Sequence, residues 1–167
     1  RPDPSRLPSS QTRAFTSVFK RHVDLWYSQR SITSVSGNSM QGNSVRQLVG
    51  VIGGSGIYDI DGLEDRQWVQ VESPFGEPSD AILTGTLAGQ PMAFLPRHGR
   101  GHKIPPSEVN YRANIDALKR LGMTDLLSLS AVGSLKETLA PGTFVIVDQF
   151  IDRTFAREKS FFGKGLV

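Results

Sequence analysis

Leu95-Pro96-Arg97-His98-Gly99-Arg100-Gly101-His102-Lys103-Ile104-Pro105-Pro106-Ser107-Glu108-Val109-Asn110-Tyr111 is the stretch on which the reading of this chain turns. It leaves an apolar run at 91–95, crosses a loop dense in Arg, His and Gly, and enters a segment with helical spacing. Arg97, His98, Arg100, His102 and Lys103 crowd together with no carboxylate in the stretch before Glu108. A strand that ends in such a loop suits an anion. Arginine presents a planar fork of donors that fits phosphate oxygens in pairs, and histidine adds a donor whose charge changes near neutral pH. A solvated basic loop, or one that meets nucleic acid, reads the same from these residues alone.

Two further stretches favour the small anion. Val51-Ile52-Gly53-Gly54-Ser55-Gly56-Ile57 is an apolar run leading into a glycine turn with a hydroxyl in it. Leu126-Leu127-Ser128-Leu129-Ser130-Ala131-Val132-Gly133-Ser134 is another apolar run ending in small polar residues. Glycine lets the backbone approach a ligand, and exposed N–H groups cradle negative charge. Three strands ending this way predict a site at the carboxyl edge of an open α/β sheet. The glycine turn is a poor dinucleotide fingerprint. The position that should hold the third glycine is Asp59, the segment 58–64 carries acids and a glycine where a helix should open, and the Lys-Ser/Thr ending of a P-loop is missing.

Outward from these stretches, residues 48–52 predict a strand buried on both faces. Residues 66–71 predict a second strand, with Trp68 and Val69 near its middle, followed by a turn in Ser73-Pro74-Phe75-Gly76-Glu77-Pro78-Ser79. The runs 81–87 and 91–95 predict a hairpin that feeds the sheet, so the sheet is expected to be mixed. Ser107 is the expected N-cap of a helix whose stripe is Tyr111, Ile115 and Leu118, widened by Ala117 and Leu121, with Gly122 as its stop. Asn110, Tyr111 and Asn114 sit where they could reach a ligand or equally serve packing and capping. Residues 125–129 predict the next buried strand, and residues 143–149 a further strand.

Composition sets the outer limits. A chain of 167 residues with 38% apolar and 21% charged residues fits one globular domain of ordinary size. It has no cysteine, which excludes disulfides, thiolate metal sites and a cysteine nucleophile. No apolar run is long enough to cross a bilayer as a helix. The net charge of +3 is unevenly spread: residues 1–46 hold seven Lys and Arg against two acids, and residues 47–167 hold twelve against fourteen. The basic character therefore belongs to the N-terminal arm and does not argue for nucleic-acid binding by the domain. Residues 1–46 are expected to be a disordered or transit-like arm, rich in Ser and Arg, with an amphipathic helix drawable over 13–30; a translated leader ahead of Met40 is the competing reading. The domain is expected over 47–167.

Four segments then carry a resemblance: Gly53-Gly54-Ser55-Gly56, the turn 73–79, Arg97-His98-Gly99-Arg100 through Asn114, and Asp148-Gln149-Phe150-Ile151-Asp152-Arg153-Thr154. In this order and closeness they resemble the 5'-methylthioadenosine phosphorylase branch of the purine nucleoside phosphorylases, from about residue 45 to the end. The resemblance implies a three-layer α/β nucleoside phosphorylase fold with a mixed central sheet, incomplete at the C-terminus. It implies phosphorolysis of 5'-methylthioadenosine or a related purine nucleoside, with orthophosphate as co-substrate and neither cofactor nor metal. By the family pattern, Ser55, Arg97, His98, Ser130 and Ala131 bind phosphate, and Gly133 borders the purine or ribose. The general acid that serves the leaving base is expected beyond Val167. The expected partners are a small-molecule nucleoside and phosphate, not nucleic acid or a membrane, and the full-length relatives imply a homotrimer. A cytoplasmic location is expected, or import into mitochondria or plastids if the arm is a transit peptide. The alternative expectation is a truncated, non-catalytic chain that keeps only the phosphate-binding half.

Overall fold

Short apolar runs with side chains buried on alternate faces assemble into one mixed sheet in the computed structural model, which describes residues 47–54, 56–158 and 160–162. The arm at 1–46 and its drawn helix lie outside the described residues. The elements are β1 (Leu48–Gly53), β2 (Leu63–Val69), β3 (Ile82–Leu87), β4 (Gln90–Pro96), α1 (Tyr111–Arg120) and β5 (Met123–Ser128). Their order across the sheet is β2-β3-β4-β1-β5. The expected hairpin is present as β3 and β4, antiparallel and turned at Ala88-Gly89. The strands β4, β1 and β5 run parallel side by side. Their carboxyl ends therefore share one edge, which is where an open α/β sheet builds sites.

Both faces of the centre are covered, by different means. Val49 and Val51 of β1, Met92 and Phe94 of β4, and Leu83 and Leu87 of β3 pack on one face against Ile57, Ile60 and Leu63. Residues 56–59, which follow the glycine turn, are themselves a turn and not a helix. On the other face Ile52, Ala93, Leu95 and Ile82 meet Ala117 and Leu118 of α1 and Met123. The strand β1 is buried on both faces, as its unbroken apolar run predicts.

The expectations for β2, α1 and β5 are corrected. The second strand starts at Leu63, which is buried and pairs with Leu87, and ends at Val69 rather than 71. The helix is capped by Asn110, not Ser107. Ser107 falls in a turn closed by Glu108 N–H donating to the Pro105 carbonyl, while the Asn110 side chain accepts from Ala113 N–H at 3.2 Å. The buried helix face is Ala113, Asn114, Ala117 and Leu118, and Tyr111 is half exposed. Gly122 does end the helix in the left-handed region, at φ +91°. The strand β5 is an edge strand: Met123 is buried, but alternate positions from Thr124 to Ser128 are exposed.

The chain divides into two units, Arg1–Ser130 and Ala131–Val167. The described part of the second carries turns and no strand, so the strand expected at 143–149 does not form. Its Val145, Ile146 and Val147 are exposed, and no neighbouring strand offers them a ladder among the described residues. Within this unit the Thr143 N–H donates to the Ala140 carbonyl at 3.1 Å and the Leu139 N–H to the Lys136 carbonyl at 3.1 Å.

Candidate functional site

Arg97 is the first residue after β4, and three contacts tie it across the shared strand edge. Its backbone N–H donates to the Gly53 carbonyl at the end of β1, at 2.9 Å. Its Nη1 donates to the Leu129 carbonyl just past β5, at 2.7 Å. Its Nε donates to Nε2 of His98 at 3.0 Å. The guanidinium also faces the glycine turn: a Cβ built on Gly54 would lie 4.0 Å from Nη2. One cation thus lies against the ends of all three parallel strands, with no carboxylate paired to it among the described residues. An anion placed there would meet a guanidinium already oriented by the Leu129 carbonyl and the His98 ring.

His98 is 7% exposed, and both ring nitrogens are engaged. Nδ1 lies 2.8 Å from the Ile104 carbonyl, which only accepts, so the ring carries its proton on Nδ1 and offers the Nε2 lone pair to Arg97. The Ile104 N–H returns a hydrogen bond to the His98 carbonyl at 3.0 Å, closing the loop 98–104 at its neck. The His102 ring stacks on His98 with centroids 4.4 Å apart.

The loop tip is tied to residues upstream of β3. Asp80 accepts the Arg100 backbone N–H at 2.6 Å and a side-chain fork, with Nε at 3.0 Å and Nη2 at 2.9 Å. The Arg100 guanidinium also stacks 4.2 Å from the Trp68 ring centroid. Burial works against ionisation of Asp80. The hydrogen bond from the Arg100 side chain, the two backbone N–H groups and the charge of Arg100 outweigh it, so the carboxyl titrates below the usual range. The hydrogen bond from Asp80 leads the effects on Arg100, whose guanidinium is held all the more firmly protonated. Gly99, at φ +69°, seats this junction: a Cβ there would lie 3.0 Å from the Ser79 carbonyl. Ser79 is held in turn by Asn114 of α1, which is 1% exposed. Asn114 Oδ1 accepts the Ser79 N–H at 2.7 Å, and Nδ2 donates to Ser79 Oγ at 2.9 Å. A cavity of about 430 Å³ opens along the seam, lined by Ser79, Asp80, Gly99, Arg100, Lys103 and Ile104.

The candidate residues named from sequence therefore fall into distinct positions. Arg97 and His98 are adjacent and hydrogen-bonded. Ser130 follows the carbonyl that Arg97 grips, and its side chain is exposed. Ser55 lies outside the described residues, between Gly54 and Gly56. Ala131 and Gly133 are exposed residues of the second unit. Asn110 and Asn114 serve capping and packing, the second also gripping Ser79. Asp80 and Trp68 were not singled out as site residues. The basic run 97–103 contains no carboxylate, and the one that pairs with it arrives in space from 20 positions upstream of Arg100.

Comparison with known proteins gives these arrangements a context. Residues 48–165 match the Phosphorylase superfamily. The S-methyl-5'-thioadenosine phosphorylase of Rhodospirillum rubrum is 77% identical over 120 residues, which are 72% of this chain and 41% of that protein. The protein of the same name from Geobacter sulfurreducens is 58% identical over 124 residues, 74% of this chain and 43% of that one. Among solved structures, methylthioadenosine phosphorylase from Schistosoma mansoni in complex with adenine aligns with a TM-score of 0.64 at 50% identity, over 71% of this chain and 43% of that one. The chain spans about two-fifths of the length of the curated relatives it matches.

Proposed function

The chain belongs to the Phosphorylase superfamily, and from that membership we propose that it is the phosphate-binding part of an enzyme that cleaves 5'-methylthioadenosine with orthophosphate. In that reaction a phosphate oxygen attacks the anomeric carbon, the bond from that carbon to the purine nitrogen breaks, and the base leaves with the electron pair. The ribosyl group develops positive charge as the bond breaks, so an anion fixed beside it lowers the barrier by position and by charge. The observation that carries the reading is the Arg97 guanidinium lying against the ends of β4, β1 and β5 with no carboxylate paired to it among the described residues.

Arg97 is the principal anion-binding group, with Ser55 and Ser130 hydroxyls and the Ala131 N–H as further donors. His98 orients Arg97 through Nε2; to join the site directly Nε2 must itself carry a proton, which it then donates to the anion while Nδ1–H stays on the Ile104 carbonyl. Gly133 borders the nucleoside. Orthophosphate is the co-substrate, and the reading calls for no metal or cofactor. The names of the relatives support a methylthio-substituted adenine nucleoside as the substrate, and the complete enzyme is proposed to be a cytoplasmic homotrimer.

Calorimetric titration of phosphate into the wild-type chain and Arg97→Ala tests the site. Saturable binding in the wild type, lost or weakened about a hundredfold in the variant, supports it; equal affinity rules it out. A second reading, a chain that binds phosphate without turnover, is favoured by the exposed apolar side chains of Val132, Ile146 and Ile151. An adenine-release assay with methylthioadenosine and phosphate separates the two.

A further inference from the structure

We propose that Asp80 is the positioning residue for Arg97, acting through the 98–104 loop; the inference deepens the reading of Arg97 as the anion-binding group and rests on it. Asp80 is the one carboxylate among the described residues that is ion-paired with this loop, and it takes both the backbone N–H and the side-chain fork of Arg100. This does two things. It pins the loop tip to the segment before β3, which Asn114 anchors to α1 through Ser79. It also neutralises Arg100, so the loop presents one unpaired guanidinium to an anion rather than two in competition.

The path from Asp80 to Arg97 is short. Gly99 and Arg100 are pinned at 79–80, and the neck of the loop is closed by the paired backbone of His98 and Ile104. With the neck closed, Ile104 holds the His98 proton on Nδ1, and Nε2 accepts from Arg97 Nε. If the tip lifts, the neck opens, the imidazole loses its fixed tautomer, and Arg97 loses one of its side-chain restraints. Only the carbonyl of Leu129 then still directs the guanidinium.

The test uses the 167-residue chain as wild type, Asp80→Ala and Asp80→Asn, each carried through three measurements: phosphate affinity by calorimetry, the His98 tautomer from imidazole nitrogen chemical shifts, and the thermal unfolding midpoint. The expected result is a phosphate affinity lower by about tenfold in Asp80→Ala, with His98 moving from pure Nδ1–H to a tautomer mixture. Asp80→Asn keeps an acceptor for the Arg100 N–H and is expected between the two. A merely structural role would lower the midpoint and leave the affinity and tautomer of the folded protein untouched, and that outcome overturns the proposal. If Asp80→Ala does not fold, the same criterion applies to Asp80→Asn. Absence of phosphate binding in the wild type would defeat the functional reading, and the tautomer alone would then decide whether Asp80 positions the loop: unchanged overturns it, mixed upholds it.

Discussion

Val49-Gly50-Val51-Ile52 and Phe144-Val145-Ile146-Val147 are both short runs built on β-branched residues, and they behave in opposite ways. The first belongs to an interior strand, hydrogen-bonded on both sides and covered on both faces. The second carries no strand, and its Ile146 is 93% exposed. Both lie inside the stretch that matches one superfamily. Strand preference is mostly packing against neighbours, so an apolar run becomes a strand only where ladder partners and covering side chains meet it. The strand β1 meets β4 and β5; residues 144–147 meet no strand among the described residues.

Amide exchange gives the largest predicted separation between the two runs. The N–H groups of Val51 and Phe94 should exchange only through global opening, about a thousandfold or more slowly than those of 145–147. Comparable rates would break the comparison by showing that the second run pairs in solution. Side-chain truncation sharpens it. Phe94 is fully buried, and Phe94→Ala should cost about 3–5 kcal/mol in urea unfolding. Ile146→Ala should stay within about 0.5 kcal/mol, since its side chain already faces solvent. A cost for Ile146→Ala near that of Phe94→Ala would mean that the exposed face is covered in solution. Fusing the downstream region of the Rhodospirillum rubrum relative after residue 167 should slow exchange at 145–147, which hydrogen exchange would read directly.

How far the sequence reaches follows the same division. The strand β1, the hairpin of β3 and β4 and the stop at Gly122 were legible because each is specified within a few residues of itself. The cap at Asn110 was misread as Ser107, because Pro105 draws Ser107 into a turn that a cap pattern alone does not weigh. Tyr111 reads as part of an apolar stripe, yet the buried face is set by the small residues Ala113 and Ala117, which let the helix lie close on the sheet. In the candidate site, the density of basic residues pointed to Arg97. The Leu129 carbonyl that aims it was invisible, because a backbone acceptor leaves no mark in the choice of side chain. Asp80 was hidden for a different reason: its partner is 20 residues away, and only the turn of the β3–β4 hairpin returns the chain to it.

Asn114 marks where the packed region reaches out to hold a loop, and it gives an intermediate effect. Asn114→Ala removes two hydrogen bonds and leaves the Ser79 N–H without its acceptor in a partly buried place. Unsatisfied groups of this kind cost about 1–3 kcal/mol each, so a loss of about 2 kcal/mol is expected by chemical denaturation. A loss below about 0.5 kcal/mol would show that water replaces the side chain, and that the segment 73–80 belongs with the loosely held parts of the molecule.

The effect of Asp80 is small and electrostatic. Asp80 is the acid of an ion pair whose arginine is half exposed, so solvent screening limits its worth to at most about 1 kcal/mol. Burial raises the carboxyl's pKa, and the Arg100 side chain, the backbone N–H groups of Arg100 and Ala81 and the nearby guanidinium charge together bring it below the ordinary value. A depressed folded-state pKa means that the stabilisation is complete above the unfolded-state value and is lost as pH falls through the folded one. The stability gap between wild type and Asp80→Asn should therefore be flat from neutral pH down to about 4 and close below that. Thermal midpoints of the two proteins across that range measure it. A gap that already changes between pH 7 and 5 would show that the Asp80 carboxylate is not the group responsible, and that the seam at 79–80 is held by shape rather than by charge.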